Sequence, residues 1–305
     1  MGRGFYSDDA YNTAKTYRAT NNISDFHHNE TSDKVHPTLD PLRIKDKPFK
    51  KLESRDNDEH PNSNAVMVCF DVTGSNIDNA VIVQKQLPKL MGLLGKYLSD
   101  VQVAVAANDD ILAVGSRHCV QISEFESDIR IDESIRNLLL TGNGGGNSYE
   151  SYDLVLYGIA RKTVLDSWEK RHKKGYLFIY ADELMREQIN KEDINSVYGD
   201  KLTEDITLNQ IITELKIQYN VYVIFPANSS YIESKKQYKQ LFGKNNVLTL
   251  ESPKVICELI GTVIGMNEDK SDNLVDDLVS VGTSSAVASQ MVEELNRQIN
   301  LEDVA

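Results

Sequence analysis

From residue 65 to about residue 267, short apolar runs rich in β-branched and aromatic residues alternate with longer stretches whose apolar positions recur every three or four residues. A short continuous apolar run is expected for a strand buried on both faces, and an amphipathic stretch for a helix packed along one stripe. Their alternation predicts an α/β architecture, with a mostly parallel sheet between layers of helices. Strands are predicted at 65–70, 101–107, 119–122, 176–181, 221–225 and 247–250, the third being short, polar and edge-like. Helices are predicted at about 76–98, 149–168, 208–218, 231–241 and 253–266. The first carries Ile77, Ala80, Val83, Leu87, Leu90, Leu94 and Tyr97 on one stripe, with Pro88 as a point of kinking. The last begins with Ser252 as N-cap and Pro253 in the first helical position.

The flanks lack this pattern. Residues 1–64 hold Pro37, Pro41, Pro48 and Pro61, four of the six histidines, and ten basic against eleven acidic side chains, so a largely non-globular arm is expected. Residues 268–305 hold nine acids against two bases and are expected to form an acidic tail, frayed or docked through Val287, Met291, Leu295 and Ile299. The whole chain has 33 Lys and Arg against 46 Asp and Glu, a formal charge of -13, which makes a nucleic-acid partner unfavourable. Cys69, Cys119 and Cys257 are widely spaced in apolar runs and predict buried thiols in a reducing compartment. With no membrane-length apolar segment and no signal-peptide pattern, a soluble cytoplasmic protein without a membrane partner is expected.

In an open parallel sheet, functional side chains collect outside the carboxyl ends of the strands. Three polar loops fall there. The first is Asp71-Val72-Thr73-Gly74-Ser75-Asn76, in which one carboxylate and two hydroxyls stand at alternate positions and can converge on a small hard cation. The second runs from Thr141 through Gly142, Gly144, Gly145 and Gly146 to Ser148 and Glu150, and the third is Asp182-Glu183.

An apolar strand ending in Asp-x-Thr-x-Ser, a later Gly-rich loop before a helix, and a later strand ending in Asp resemble the metal-ion-dependent adhesion site of the von Willebrand factor A family. The likeness runs from residue 65 to about 266 and is greatest to prokaryotic and phage A-domain proteins with an Asp-Val-Thr-Gly-Ser site preceded by a segment like 53–63. It implies a doubly wound, mostly parallel six-stranded sheet with one antiparallel edge. It also implies a divalent cation, normally magnesium with manganese or calcium as substitutes, held by Asp71, Thr73, Ser75 and Asp182. The family places a threonine after the glycines; here Ser148 is the matching hydroxyl, with Asn147 and Glu150 beside it. In the family the metal keeps an open position that a carboxylate from a protein partner completes, so the implied role is a non-enzymatic binding module.

Plainer readings apply to the same residues. Asp71, Thr73 and Ser75 suit a capped strand-to-helix turn, the glycines suit a flexible connection without the Lys-Ser/Thr pair of a P-loop, and Asp182 suits a helix cap. Asp109 and Asp110 read as a solvated turn or an added carboxylate, and His27, His28, Glu30, Asp33 and His36 as a solvated cluster or a transition-metal trap. Residues 55–60 read as a linker or as packing beside the metal loop, and Tyr149, Tyr152 and Tyr157 as helix packing. Two other functions compete: a haloacid-dehalogenase-like phosphotransferase with Asp71 as nucleophile, which lacks the customary acid where Thr73 stands, and a structural subunit of a phage or ATPase-linked assembly.

Overall fold

The computed structural model describes residues 4–46, 51–143, 146 and 148–299. Its centre is a six-stranded sheet made of β1 (Asn64–Asp71), β2 (Val101–Asn108), β3 (Val120–Ile122), β4 (Gly175–Tyr180), β5 (Tyr219–Pro226) and β6 (Val247–Leu250). The order across the sheet is β6-β5-β4-β1-β2-β3. All neighbours are parallel except β2 and β3, which are antiparallel. The strands on the two sides of β1 wind outward in opposite directions, so the loops after β1 and β4 part between them, where an α/β sheet offers a crevice.

The helices that cover the sheet are α1 (Asp8–Thr20), α2 (Asp78–Lys85), α3 (Leu87–Tyr97), α4 (Tyr152–Lys162), α5 (Leu208–Gln218), α6 (Ile232–Phe242), α7 (Ile256–Asn267), α8 (Leu274–Ser280) and α9 (Ser285–Ile299). Successive side chains of a strand point to opposite faces. Val66, Val68 and Phe70 of β1 accordingly pack into one core with α2, α3 and α7, while Ala65, Met67 and Cys69 enter the other with α4, α5 and α6. Cys69, Cys119 and Cys257 are buried free thiols. No described helix is long and apolar enough to cross a membrane.

Two predicted helices are divided. The 76–98 stretch breaks at Gln86 (φ -104°, ψ 12°), and Pro88 falls in the first turn of α3, where its missing N–H leaves no bond unmade. The 149–168 stretch leaves the helix after Lys162. Thr163–Leu165, opened by two β-branched residues, pairs in parallel with Leu52–Ser54 before a short helix, Asp166–Arg171.

The flanks differ more from expectation. The described part of the 1–64 arm is folded onto the body, with Tyr11, Val35 and Leu39 in one core and Ile44 and Leu52 in the other. It also covers the sheet edge: Ile122 N–H donates to the Leu39 carbonyl at 2.9 Å, and Arg43 Nη2 donates to the Ile122 carbonyl at 2.7 Å. An edge strand otherwise presents unpaired backbone groups, so the arm finishes what β3 leaves open. The described part of the acidic tail, residues 268–299, likewise packs, with Leu274, Leu278, Ala288 and Leu295 buried against α7 and its neighbours. Its few apolar residues are spaced to form a stripe, which an average over composition conceals. Residues 55–63 lie at the amino end of the sheet, away from the Asp71 loop. There Asp56 accepts from Arg171 Nη1 at 2.6 Å and from Ser63 Oγ at 2.7 Å, and Arg55 Nη1 donates to Asp166 at 2.6 Å.

Candidate functional site

β1 delivers Asp71 to the carboxyl end of the sheet, beside Asn108 on β2. Gly74 (φ 39°) then turns the chain into the short 3-10 segment Gly74–Asn76, which a residue with a Cβ would strain. The turn folds back on its own carboxylate. Asp71 Oδ1 accepts from Thr73 N at 2.9 Å and Thr73 Oγ1 at 2.5 Å; Asp71 Oδ2 accepts from Tyr152 Oη at 2.5 Å and Asn76 Nδ2 at 3.3 Å. The same Asn76 amide donates to Asp182 Oδ1 at 3.0 Å. One carboxamide therefore ties together carboxylates 111 positions apart in the chain, from β1 and from the end of β4.

Asp182 is fixed on its other side by α6. Ser234 Oγ donates to the Asp182 carbonyl and Tyr238 Oη to that of Glu183. Asp182 N–H also faces Tyr152 Oη at 3.4 Å. The Gly-rich loop is anchored at its start by Thr141, whose hydroxyl donates to Asp109, and by Gly142 N–H donating to the Val72 carbonyl at 3.0 Å. At its end it pairs with the turn after β4: Leu184 N–H donates to the Ser148 carbonyl at 3.1 Å, and Glu150 N–H to the Leu184 carbonyl at 3.3 Å.

Of the expected site residues, Asp71, Thr73 and Asp182 meet. Ser148 is exposed with left-handed backbone (φ 61°), whereas Glu150, two residues on, is 1% exposed. The Ser75 side chain and Asn147 lie outside the described residues. Asp109 and Asp110, read as a turn, are fully buried. Asp110 caps the helix Ile111–Val114 and accepts from Arg186 Nη2 at 2.8 Å. His28 and His36 meet edge to face, but His28 Nε2 contacts the Lys34 carbonyl at 2.7 Å and His36 Nδ1 contacts Thr38 Oγ1 at 2.7 Å.

The acids at this end are buried with few bases, and the carboxyls titrate high. Burial pushes Asp71 up to about 7 against the lowering effect of its Thr73 and Tyr152 donors. It raises Asp182 as well, and takes Asp109 to about 6 and Asp153 to about 7. Glu150 reaches about 9, first through burial and then through the neighbouring charge of Asp71. Among the described residues, no group of three or more His, Cys, Asp or Glu side chains is arranged to hold a metal ion. The groups that donate to Asp71 are instead a backbone N–H, a hydroxyl, a phenol and an amide.

Asn76 and Tyr152 were not expected at the site. Asn76 follows the Asp-x-Thr-x-Ser stretch directly and was within reach of a reading that counted every short polar side chain in the turn. Tyr152 gives no such signal, because it belongs to the apolar stripe of a helix and only its terminal oxygen reaches Asp71.

No protein-family model matches the sequence, and no curated protein matches it. Among solved structures, proximal thread matrix protein 1 from the mussel byssus aligns with TM-score 0.46 at 14% identity, over 67% of this chain and 48% of that one. The pilus adhesin SpaC from Lactobacillus rhamnosus GG, in its open conformation, aligns with TM-score 0.44 at 13% identity, over 75% of this chain and 31% of that one. The chain spans about half the length of the mussel protein and about a third of the adhesin.

Proposed function

We propose that the protein is a von Willebrand factor A-type binding module that recognises a protein partner through a divalent cation at the carboxyl end of its sheet. The observation that carries this reading is the Asn76 amide shared by Asp71 and Asp182. A carboxamide N–H donor between two carboxylates takes the place that a cation would take, and its withdrawal leaves two facing acids. The donors fit a hard cation such as magnesium, manganese or calcium, since hydroxyl and carboxylate oxygens are present and none of the described side chains bonded to the Asp71 and Asp182 carboxylates is a thiol or an imidazole. Asp71, Thr73 and Asp182 would hold it, with Ser75 from the same turn. A bound cation supplies an open coordination position for a carboxylate of the partner. Leu112, Tyr149, Tyr231 and Ile232, exposed large side chains following β2, ending the Gly-rich loop and opening α6, lie at the same end and suit a contact face.

The phosphotransferase reading gains nothing from the geometry: Asp71 is 0% exposed and both its oxygens already accept hydrogen bonds. Thermal unfolding with and without magnesium tests the proposal. A ligand at 100 times its Kd stabilises by about 2.7 kcal/mol, so millimolar magnesium is expected to raise Tm by several degrees, and Asp182→Asn to abolish the rise. A wild type indifferent to magnesium, manganese and calcium refutes the cation. A partner retained equally in EDTA refutes the bridge.

A further inference from the structure

We infer that the amino end of the sheet carries a second binding site, a cleft for an aliphatic polyamine, at the opposite end of the sheet from Asp71. The cleft has a volume of about 670 Å³ and lies between the start of α1, one side of α3 and the turn that enters β2. That is within the range of small-molecule sites. Among the described residues its lining holds three carboxylates, Asp8, Asp9 and Asp100, and no Lys or Arg. Acids in the first turn of a helix are ordinary, so Asp8 and Asp9 alone would signal nothing. His60, which lines the same cleft, is the residue that such a reading leaves unexplained.

His60 is 1% exposed, and its Nδ1 is buried without a hydrogen-bond partner. Its Nε2 lies 2.8 Å from the Gly4 carbonyl, which can only accept and which Ser127 Oγ also engages at 2.8 Å. The ring proton therefore sits on Nε2, and Nδ1 of the neutral ring is an acceptor. Before it stands Asp100 Oδ1 at 3.7 Å, a second acceptor. Asp100 is fixed there, because its Oδ2 accepts from Asn62 N–H at 2.8 Å and its carbonyl from Asn64 N–H at 3.1 Å. A primary ammonium answers both atoms, with N–H donors for the imidazole and a positive charge for the carboxylate. Phe5, 65% exposed with its ring 4.5 Å from that of His60, adds an aromatic face for a cation. Met91 and Leu98 give the cleft apolar wall that suits methylene stems. Acids on separate elements and apolar wall in one cleft call for ammonium groups spaced by methylenes. A bare metal ion does not fit, since no three described His, Cys, Asp or Glu side chains are placed to hold one.

The test is titration calorimetry of the full chain with spermidine at about 0.15 M salt, where diffuse attraction to an acidic surface is screened. Two probes separate the chemistry: n-butylamine has a single ammonium, and hexamethonium has two cationic ends without an N–H. Asp100→Asn keeps an acceptor for Asn62 and removes the charge, while Asp8→Asn combined with Asp9→Asn changes only exposed side chains. Glu192→Gln is the comparison, exposed on a helix whose Ile194 and Val197 pack into the core on the other face of the sheet. Spermidine is expected to bind about tenfold or more tightly than either probe, D100N to weaken it about tenfold, the D8N/D9N pair about threefold, and E192Q to leave it unchanged. Nitrogen NMR of the His60 ring should show Nδ1 unprotonated in the free protein at pH ~7.5 and shifted by spermidine. Should D100N melt too low to titrate, the D8N/D9N pair and the NMR decide. A wild type indifferent to spermidine, equal binding of butylamine or hexamethonium, affinity unchanged in the site variants, an equal loss in E192Q, or an Nδ1 already protonated before spermidine is added overturns the inference.

Discussion

Tyr152→Phe isolates the bond that fastens α4 to the Asp71 loop. Tyr152 is fully buried and the substitution keeps its ring, so no cavity of consequence opens. What is lost is one 2.5 Å bond to Asp71 Oδ2 and the 3.4 Å contact with Asp182 N–H. A hydrogen bond to a charged acceptor contributes about 1.5–3 kcal/mol. Thr73 and Asn76 continue to donate to Asp71, so that acid is not orphaned, and the cost falls at the low end, about 1.5–2 kcal/mol. For a chain of 305 residues that is a fall in Tm of roughly 2–3 °C.

Urea unfolding is the direct assay: the midpoint should drop with the m-value unchanged, since the surface exposed on unfolding is the same. Combining Y152F with Asp71→Asn should show non-additivity of about 1 kcal/mol or more, the mark of side chains in one network. A loss below about 0.5 kcal/mol, the range of ordinary surface substitutions, would refute the view that Asp71 is a carboxylate held by its protein donors.

Gly158 lies inside α4, where an added Cβ would sit 2.8 Å from Ile122 Cδ1 and 2.8 Å from Tyr198 Cζ. Gly158→Ala should therefore destabilise by about 1–2 kcal/mol in a denaturant titration, overpacking outweighing the gain of about 1 kcal/mol in helix propensity; a more stable variant would refute the close approach. Leu39→Ala should cost about 2–5 kcal/mol if the arm is part of the core, and a loss under about 1 kcal/mol would mean that it is not. Asp56 is held well below the ordinary carboxylate range by Arg171, Ser63 and Lys170 against the opposing effect of burial. A depressed folded value gives stability that is present above the unfolded pKa of about 3.9 and lost as pH falls through the folded one. Asp56→Asn should then be destabilised at pH ~7 and converge on wild type in increasingly acidic solution; a gap constant with pH would count against the ion pair.

The sheet was legible because buried strands are written as continuous apolar runs: the predicted 247–250 strand coincides with β6, and β1 exceeds its predicted run by one residue at each end. The predicted 208–218 helix likewise coincides with α5, whose Thr207 and Gln210 form a reciprocal cap. Illegible features depended on partners distant in sequence. Nothing local to Leu39 or Arg43 says that they will meet Ile122, and a polar, proline-bearing arm with isolated apolar anchors resembles a disordered one until those anchors find their pockets. At the site, Asp71, Thr73 and Asp182 were legible as chain motifs, whereas Tyr152 reaches Asp71 from the buried stripe of a helix. The exposure of Ser148 and the burial of Glu150 follow from the pairing with Leu184, a contact no local spacing reveals.

The acids sort by the end of the sheet they occupy, and this gives the molecule a pH response that a net charge of -13 does not convey. At the amino end Asp56 and Asp166 lie against Arg55, Lys170 and Arg171, and both titrate low. At the carboxyl end burial dominates, with Asp109 raised to about 6 and Asp153 to about 7. For an acid with a raised folded pKa, the stabilising contribution is complete below the unfolded value of about 4 and is lost as pH rises through the folded value. Between pH ~5 and ~8 Asp56 and Asp166 are ionised in both folded and unfolded states and add no slope, whereas the raised carboxyl-end acids, with the buried Glu126, lower stability as pH rises, opposed by His36, whose pKa burial lowers. Stability in EDTA should decline over that interval. A cation held at this end lowers the cost of ionising its acidic neighbours, so saturating magnesium should flatten the decline. Urea midpoints across that range, with EDTA and with magnesium, read both effects. A slope in EDTA that is flat or rising would contradict the buried, base-poor arrangement of these acids, and a decline that magnesium leaves untouched would separate that arrangement from any cation.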